Sequence, residues 1–298
     1  MKYLQKDEFN ASMKKRVLGL IKDWDLIQEG ELIALALSGG KDSVLTLHML
    51  HEFQKELDFE MVAIAVDEGI EGYRGHGMDA AQKNADYLGV KLLKKSFEKE
   101  AGFTLDEVYS FFKSACIPCG VFRRNILNKT AYEIGASKIA TGHNLDDEIQ
   151  SFLMSFARAD LVKFSKFGPK LDVIHPKLIP RIKPLWNIPE KEVGIWAVLN
   201  DVEVHFDECP YSNLSLRAKT KDFLNRAESN MPGTKKAVLE SFTKTFIENK
   251  LSEKIKGRSG VAQLNECQNC KEPSSAVVCK ACEMKEIIRS NMESDIQK

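Results

Sequence analysis

The segment LIALALSGGKDSVLTL, Leu32 to Leu47, decides the fold. Its opening, Leu32 to Leu37, is an unbroken apolar run, the pattern of a strand buried on both faces. A helical pattern runs from Asp42 to about Leu57. Between them lies SGGKDS, Ser38 to Ser43. Two glycines let the chain turn tightly with no Cβ in the way of an anion. Successive backbone N–H groups can converge there as a nest, and the following helix adds its partly positive N-terminus. Lys41 supplies a mobile cation. The junction reads as a phosphate cradle of Ser38, Gly39, Gly40, Lys41, Asp42 and Ser43. In it Asp42 holds magnesium or stands near the reacting phosphate, and the hydroxyls of Ser38 and Ser43 donate to phosphate oxygens. The spacing is not GxxxxGK followed by Ser or Thr, which disfavours a Walker-type triphosphatase.

Outward from this segment, strands and helices alternate. Further strands are expected at Met61–Val66, Val90–Leu93, Lys138–Thr141 and Val202–Phe206. Helices are expected near 76–88, 120–134, 144–157 and 189–200. Such alternation predicts an α/β fold, a Rossmann-like parallel sheet with helices on both faces. Ligands then bind outside the carboxyl ends of the strands. Residues 1–29 form a helical segment, with Phe9, Met13, Val17, Leu20, Ile21 and Trp24 on one stripe that covers a core. Residues 30–210 form the main domain, 211–262 a helical region rich in Lys and Glu, and 263–298 a small cysteine module. The tail SNMESDIQK is expected to fray.

The 298 residues carry 43 basic and 43 acidic side chains, so the net charge is zero. A neutral total leaves room for nucleic acid, since binding needs a local patch. No run of about 18 apolar residues occurs, which argues against a membrane span. The first residues are charged and lack an apolar signal core, so a cytoplasmic protein is expected.

Seven cysteines occur. Their odd number, without an export signal, argues against a disulfide framework. Cys267-x2-Cys270-x8-Cys279-x2-Cys282 has the spacing of a closed, structural four-thiolate zinc site. Cys116 and Cys119 form CIPC, and Cys209 stands alone past the fifth expected strand. Three thiolates are one short of a zinc shell. They suit an iron–sulfur cluster with one free iron, or a persulfide carrier with a resolving partner. Two inert cysteines and an unrelated third are the plain alternative.

The loop resembles the PP-loop of the ATP pyrophosphatase superfamily, whose members cleave ATP between its α and β phosphates. SGGKDS, VDEGIEGYR, CIPCGVFRR, TGHNLDDE, IPRIKPLWNIPEKEV and HFDECPYS occur in this order, over residues 30 to 285. As a set they resemble the TtcA/TtuA group of tRNA 2-thiolation enzymes, and within it the archaeal and eukaryotic cytoplasmic wobble-uridine branch of NcsA type. The resemblance implies adenylation of the uridine C2 oxygen by ATP and replacement of that oxygen by sulfur. It implies that adenine lies near Ala36 and Ala65, that Gly142 lies against the nucleotide, and that Asp147 is near the metal or phosphates. For Asp146 and Asp147 the bland reading is helix capping. Arg123 is expected near the ATP phosphates or base, with Arg124 a weaker candidate for the same surface.

The resemblance further implies that Cys116, Cys119 and Cys209 bind a 4Fe-4S cluster; the persulfide route uses the same residues. Lys41, Asp42 and these three cysteines are the candidate catalytic set. The sulfur donor is sulfide or a ubiquitin-like thiocarboxylate protein, and a homodimer is expected. Many members carry a zinc module ahead of the PP-loop domain. Here the first cysteine is Cys116, so that module is expected to be missing. A thiolated cytidine or ribothymidine, or a PP-loop amide-forming ligase, are the alternatives. For tRNA, residues 158–183 offer Arg158, Lys163, Lys166, Lys170, Lys177, Arg181 and Lys183, with Phe164 and Phe167 between them. Charge alone favours a solvated loop; the resemblance tips the reading toward RNA. Lys219, Lys221 and Arg226 extend this surface.

Overall fold

A computed structural model describes residues 5–160, 163, 167–212, 216–249, 251 and 264–296. The elements run α1 Lys6–Asp23, β1 Leu32–Ala36, α2 Lys41–Leu57, β2 Glu60–Asp67, α3 Arg74–Leu88 and β3 Leu92–Ser96. Two short helices, α4 Phe97–Ala101 and α5 Leu105–Val108, lead to α6 Cys116–Glu133. Then come β4 Lys138–Ala140, α7 Leu145–Ala157, β5 Arg181–Ile182 and α8 Glu190–Leu199. The chain continues with α9 Leu216–Asn230, α10 Thr234–Phe242, a π-helical turn Thr243–Glu248, a ribbon of β6 Asn265–Glu266 and β7 Pro273–Ser274, and α11 Lys280–Ile296.

Five parallel strands form one sheet in the order β3-β2-β1-β4-β5. The order reverses between β1 and β4, and a crevice opens there at the carboxyl ends. The SGGKDS turn follows β1, and TGHNLDDE follows β4. The expected parallel α/β fold is therefore present, with both anion-side motifs at the switch point.

Side chains on alternate faces of β1 feed two apolar clusters. Ile33 and Leu35 enter the first, with Met13, Val17 and Ile21 of α1, Leu47 and Leu50 of α2, and Val193 and Trp196 of α8. Ala34 enters the second, with Phe97, Phe122, Ile126, Cys267, Met284 and Ile288. Phe97, Phe103 and Phe122 meet edge to face, with ring centroids 4.9–6.3 Å apart. On this side α6 lies on the sheet and α11 packs against α6, while α1, α2 and α8 gather on the other face.

Three expectations need correction. Val202–Phe206 is not a strand: its alternation comes from Val202 and Val204 packing on the first cluster, and only His205 makes a bridge, to Gly40. The fifth strand is Arg181–Ile182, too short and too flanked by proline to stand out. The tail does not fray from residue 290, because α11 continues to Ile296. The third strand begins at Leu92 rather than Val90.

Candidate functional site

The cradle is built by close backbone approach. Gly39 sits at φ +83°, and a Cβ on it would fall 1.9 Å from the carbonyl oxygen of Gly77. Gly142 faces the start of α2, where a Cβ would come within 2.7–2.9 Å of the Asp42 and Ser43 backbone. The His205 N–H donates to the Gly39 carbonyl at 2.9 Å, which ties the segment before Cys209 to the loop. Ser43 braces the loop from inside: its Oγ donates to the Gly40 carbonyl at 2.9 Å and accepts from the Ser38 N–H at 3.1 Å.

Charge at the cradle is balanced by a small network. Lys41 Nζ lies 2.9 Å from Asp42 and 3.1 Å from Glu190. Asn144 donates to the other Asp42 oxygen at 2.8 Å, and Lys221 reaches Glu190 at 3.1 Å. Burial lifts the Asp42 carboxyl above its ordinary value against the pull of Lys41. Burial would lower Lys41, but Asp42 and Glu190 together hold it up. Glu190 would rise by burial and is held below its usual value by Lys41 and Lys221. A phosphate chain arriving here would take over the Lys41 contacts now made by carboxylates.

Beneath the cradle a buried ion pair fixes the end of β2. Arg74 pairs with Glu68 at 2.7 Å, both side chains 7% exposed. It also donates twice to the Val66 carbonyl and once to that of Ser38, at 2.6–2.9 Å. Glu68 reaches Arg123 on α6 at 3.5 Å.

A cleft of about 370 Å³ joins these parts. It is lined by Ser38, Gly40, Lys41, Asp42 and Glu190, by Glu68, Tyr73 and Arg74, and by Cys119, Arg123 and Cys209. That volume falls within the range of small-molecule sites. Of the expected site residues, Ala36, Gly39, Ser43, Ala65, Gly142, Asp147 and Cys116 stand outside its lining. Ala36 and Ala65 are carried by the adjoining strands β1 and β2. Asp147 makes a capping box with Asn144 and pairs with Arg217 at 3.1 Å. Asp146 accepts from the Glu190 N–H at 2.8 Å and pairs with Lys235. Both aspartates therefore do capping and tethering work.

Cys116 and Cys119 open α6. Burial pushes the Cys119 thiol up to about 11, opposed by Arg123, and burial also raises Cys209. Each of the three cysteines lies within electrostatic reach of another. Among the described residues, Cys267, Cys270, Cys279 and Cys282 are the group whose ligand atoms all lie within 4.8 Å of one another. The trio is not among the groups whose ligand atoms all lie so close.

The C-terminal four fit one tetrahedral ion, whose ligand sulfurs sit about 3.8 Å apart at Zn–S bonds of 2.3 Å. Sγ of Cys270 and Cys279 are 3.6 Å apart. The backbone N–H groups of Cys279 and Cys282 donate to Cys267 Sγ and Cys279 Sγ at 3.2 and 3.5 Å. Burial would raise the Cys267 thiol, but backbone N–H groups aimed at it bring it down to about 6.

Among the described residues, the lysines of the basic stretch 158–183 are held in ion pairs. Lys183 is buried against Glu148 at 2.8 Å, Lys177 pairs with Glu266 at 2.8 Å, Lys170 with Asp25 and Lys163 with Asp160. Phe167 packs on Phe152 and Phe242. Phe164 and Lys166 lie outside the described residues. Sequence reasoning missed Glu68, Arg74, Gly77, Asn144, Glu190 and His205. Glu68 and Arg74 had a signal: charged residues directly after a buried strand, within VDEGIEGYR.

The chain matches the PP-loop domain family over residues 9–227. It is 35% identical to the tRNA 2-thiolation protein NcsA of Haloferax volcanii, over 97% of this chain and 94% of that one. It is 32% identical to the tRNA-5-methyluridine(54) 2-sulfurtransferase of Pyrococcus horikoshii, over 94% of this chain and 86% of that one. Among solved structures it resembles the U34-tRNA thiolase NcsA of Methanococcus maripaludis with its 4Fe-4S cluster, at a TM-score of 0.79 and 35% identity, covering 94% and 88% of the two chains. With its phosphate cradle at the switch point and near-full-length likeness to these proteins, the chain belongs to the PP-loop family that includes the tRNA 2-thiolation proteins.

Proposed function

We propose that this protein is a tRNA-uridine 2-sulfurtransferase that converts the wobble uridine to 2-thiouridine in the cytoplasm. One observation carries the reading: Lys41 and Asp42 line the same cleft as Cys119 and Cys209. The uracil C2 oxygen is a poor leaving group. Its attack on the α-phosphorus of ATP forms an O–P bond and expels pyrophosphate. Sulfur then attacks C2, the C–O bond breaks, and AMP leaves. Ser38, Gly39, Gly40, Lys41 and Ser43 hold the triphosphate, with adenine near Ala36 and Ala65 and Gly142 against the nucleotide. Asp42, with Asp147 behind it, faces the magnesium. Arg123, beside Cys119 and Cys209, stabilises charge on the phosphate under attack.

Cys116, Cys119 and Cys209 are the residues that would hold a 4Fe-4S cluster, which when bound supplies an iron position for sulfide. Cys267, Cys270, Cys279 and Cys282 would hold a structural zinc. Residues 30–210 are the adenylation and thiolation unit, with 1–29 a helical cover, 211–262 a helical region and 263–298 the metal module. A homodimer, and sulfide or a ubiquitin-like thiocarboxylate protein as sulfur donor, complete the proposal. The likeness to the Pyrococcus horikoshii enzyme makes 5-methyluridine in the T loop the second reading.

The test is anaerobic reconstitution with unmodified tRNA, ATP, magnesium and sulfide, followed by mass spectrometry of the nucleosides. 2-Thiouridine is expected from the wild type and its loss from Cys116→Ala. No thionucleoside from the wild type would sink the reading, and 5-methyl-2-thiouridine would favour the second.

A further inference from the structure

One buried side chain pins the segment entering β5 to α6. Asn128 donates to the Lys177 carbonyl at 2.8 Å and accepts from the Ile179 N–H at 3.0 Å. Residues four apart share a helix face, and residues two apart share a face of extended chain. One turn before Asn128 on α6 is Arg124, and two residues beyond Ile179 is Arg181. The pinning therefore sets Arg124 beside Arg181, one turn nearer the cysteine end of α6. Arg124 folds back over Gly120, where a Cβ would come within 3.2 Å of its Nη1. Arg123 adjoins them.

These cations are poorly balanced. Among the described residues, neither Arg124 nor Arg181 is joined to a carboxylate. Arg123 reaches only Glu68, at 3.5 Å, and Glu68 is already held by Arg74 at 2.7 Å. Burial, then repulsion from Arg124 and Arg123, brings Arg181 down to about 10. Burial and Arg123 lower Arg124 as well. Guanidinium groups so arranged match the planar, bidentate demand of a phosphate.

We propose that Arg124 and Arg181, with Arg123 at the border of the cleft, form a phosphodiester subsite that grips the tRNA backbone beside the nucleotide being modified. The inference rests on the reading of the protein as a tRNA-modifying enzyme. Position separates the subsite from the ATP site. Arg123 lines the cleft, whereas Arg124 and Arg181 stand outside its lining, and the triphosphate has its own cradle at Ser38–Ser43. Arg124 is exposed and lies about 7.5 Å along the helix axis from Cys119. A nucleotide drawn out of its stack needs its backbone held close by, and phosphate contacts set that register.

The experiment measures binding of unmodified tRNA by the full-length holoenzyme from about 50 to about 200 mM salt, with ATP binding and melting temperature in parallel. Arg124→Gln and Arg181→Gln are each expected to weaken tRNA binding roughly tenfold and to flatten the slope of log K against log salt by about 0.7–0.9. ATP affinity should hold. Arg124→Lys keeps the charge and should keep most of the slope. Unchanged tRNA affinity and slope in Arg124→Gln overturn the subsite. Loss of ATP affinity with tRNA binding intact assigns the anion to the nucleotide and also overturns it. A wild type that binds no tRNA instead removes the functional reading, and the subsite with it. Should Arg181→Gln melt early, the exposed Arg124→Gln decides.

Discussion

Arg74 is charged, nearly sealed from water, and spends every guanidinium nitrogen within the protein. It joins Glu68, the end of β2 and the start of the phosphate cradle. Arg74→Ala strands the Glu68 carboxylate in a dry setting and leaves two carbonyls short of donors. Urea unfolding should report a loss of about 3–5 kcal/mol. Gly39 and Gly142 act through missing atoms. Gly39→Ala would need both a left-handed backbone and a Cβ 1.9 Å from a carbonyl oxygen, so the cradle must shift. A shift of about 1 Å costs about 100-fold in an oriented reaction, and pyrophosphate release should fall by that factor in Gly39→Ala and in Gly142→Ala.

His143 accounts for a pH effect. The residue is exposed at the surface, while neighbouring protein that desolvates the ring, and then repulsion from Lys183, hold it down to about 4. Its folded value lies below the unfolded one, so the folded state binds fewer protons between about pH 6.5 and 4. Stability should fall as pH drops through that window, and the ring's NMR titration midpoint should lie near 4.

At the scale of elements, α6 matters most. It carries Cys116, Cys119, Arg123 and Arg124 on its outer turns and Phe122 and Ile126 in the second cluster. Asn128 joins it to the sheet edge. Asn128→Ala would leave the Lys177 carbonyl and Ile179 N–H unpaired near a buried site, costing about 1–3 kcal/mol, which a thermal melt would show.

Legibility in the sequence tracks how local each cause is. The apolar run Leu32–Leu37 and the two glycines after it revealed β1 and the turn, because burial on both faces and φ freedom are written in adjacent residues. Arg181–Ile182 stayed hidden, since two residues become a strand only through β4 alongside. Val202–Phe206 misled because alternation also arises where a loop lays every second side chain on a core. The Glu68–Arg74 pair was quoted in a motif without its burial, which only the packing of β2, α3 and the cradle creates. The ion pairing of the cation stretch at 158–183 was hidden for a related reason: Asp25, Glu148 and Glu266, partners of Lys170, Lys183 and Lys177, are far away in sequence.

Across the whole molecule, the sheet separates two clusters with different support. The first is filled from α1, α2, α3, α7, α8, α9 and α10 and holds none of the cysteines. The second includes Cys267 and Cys279, buried beside Phe122 and Met284. If the four cysteines hold zinc as proposed, binding energy of that ion is folding energy for this face. Chelation should lower the melting temperature by at least about 5 °C and release close to one zinc per chain. Cys282→Ser should do the same without chelator.

The two-sided core also sets an order of failure. The cradle springs from β1 into α2, whose apolar face lies in the first cluster, whereas Cys119 and Arg123 ride on α6, backed by the cysteine ribbon. If the proposed zinc is right, a cell short of it would hold a protein that still grasps its fuel while the wall carrying Cys119 and Arg123 slackens. Nutrient supply would then reach tRNA chemistry through the rear of one helix.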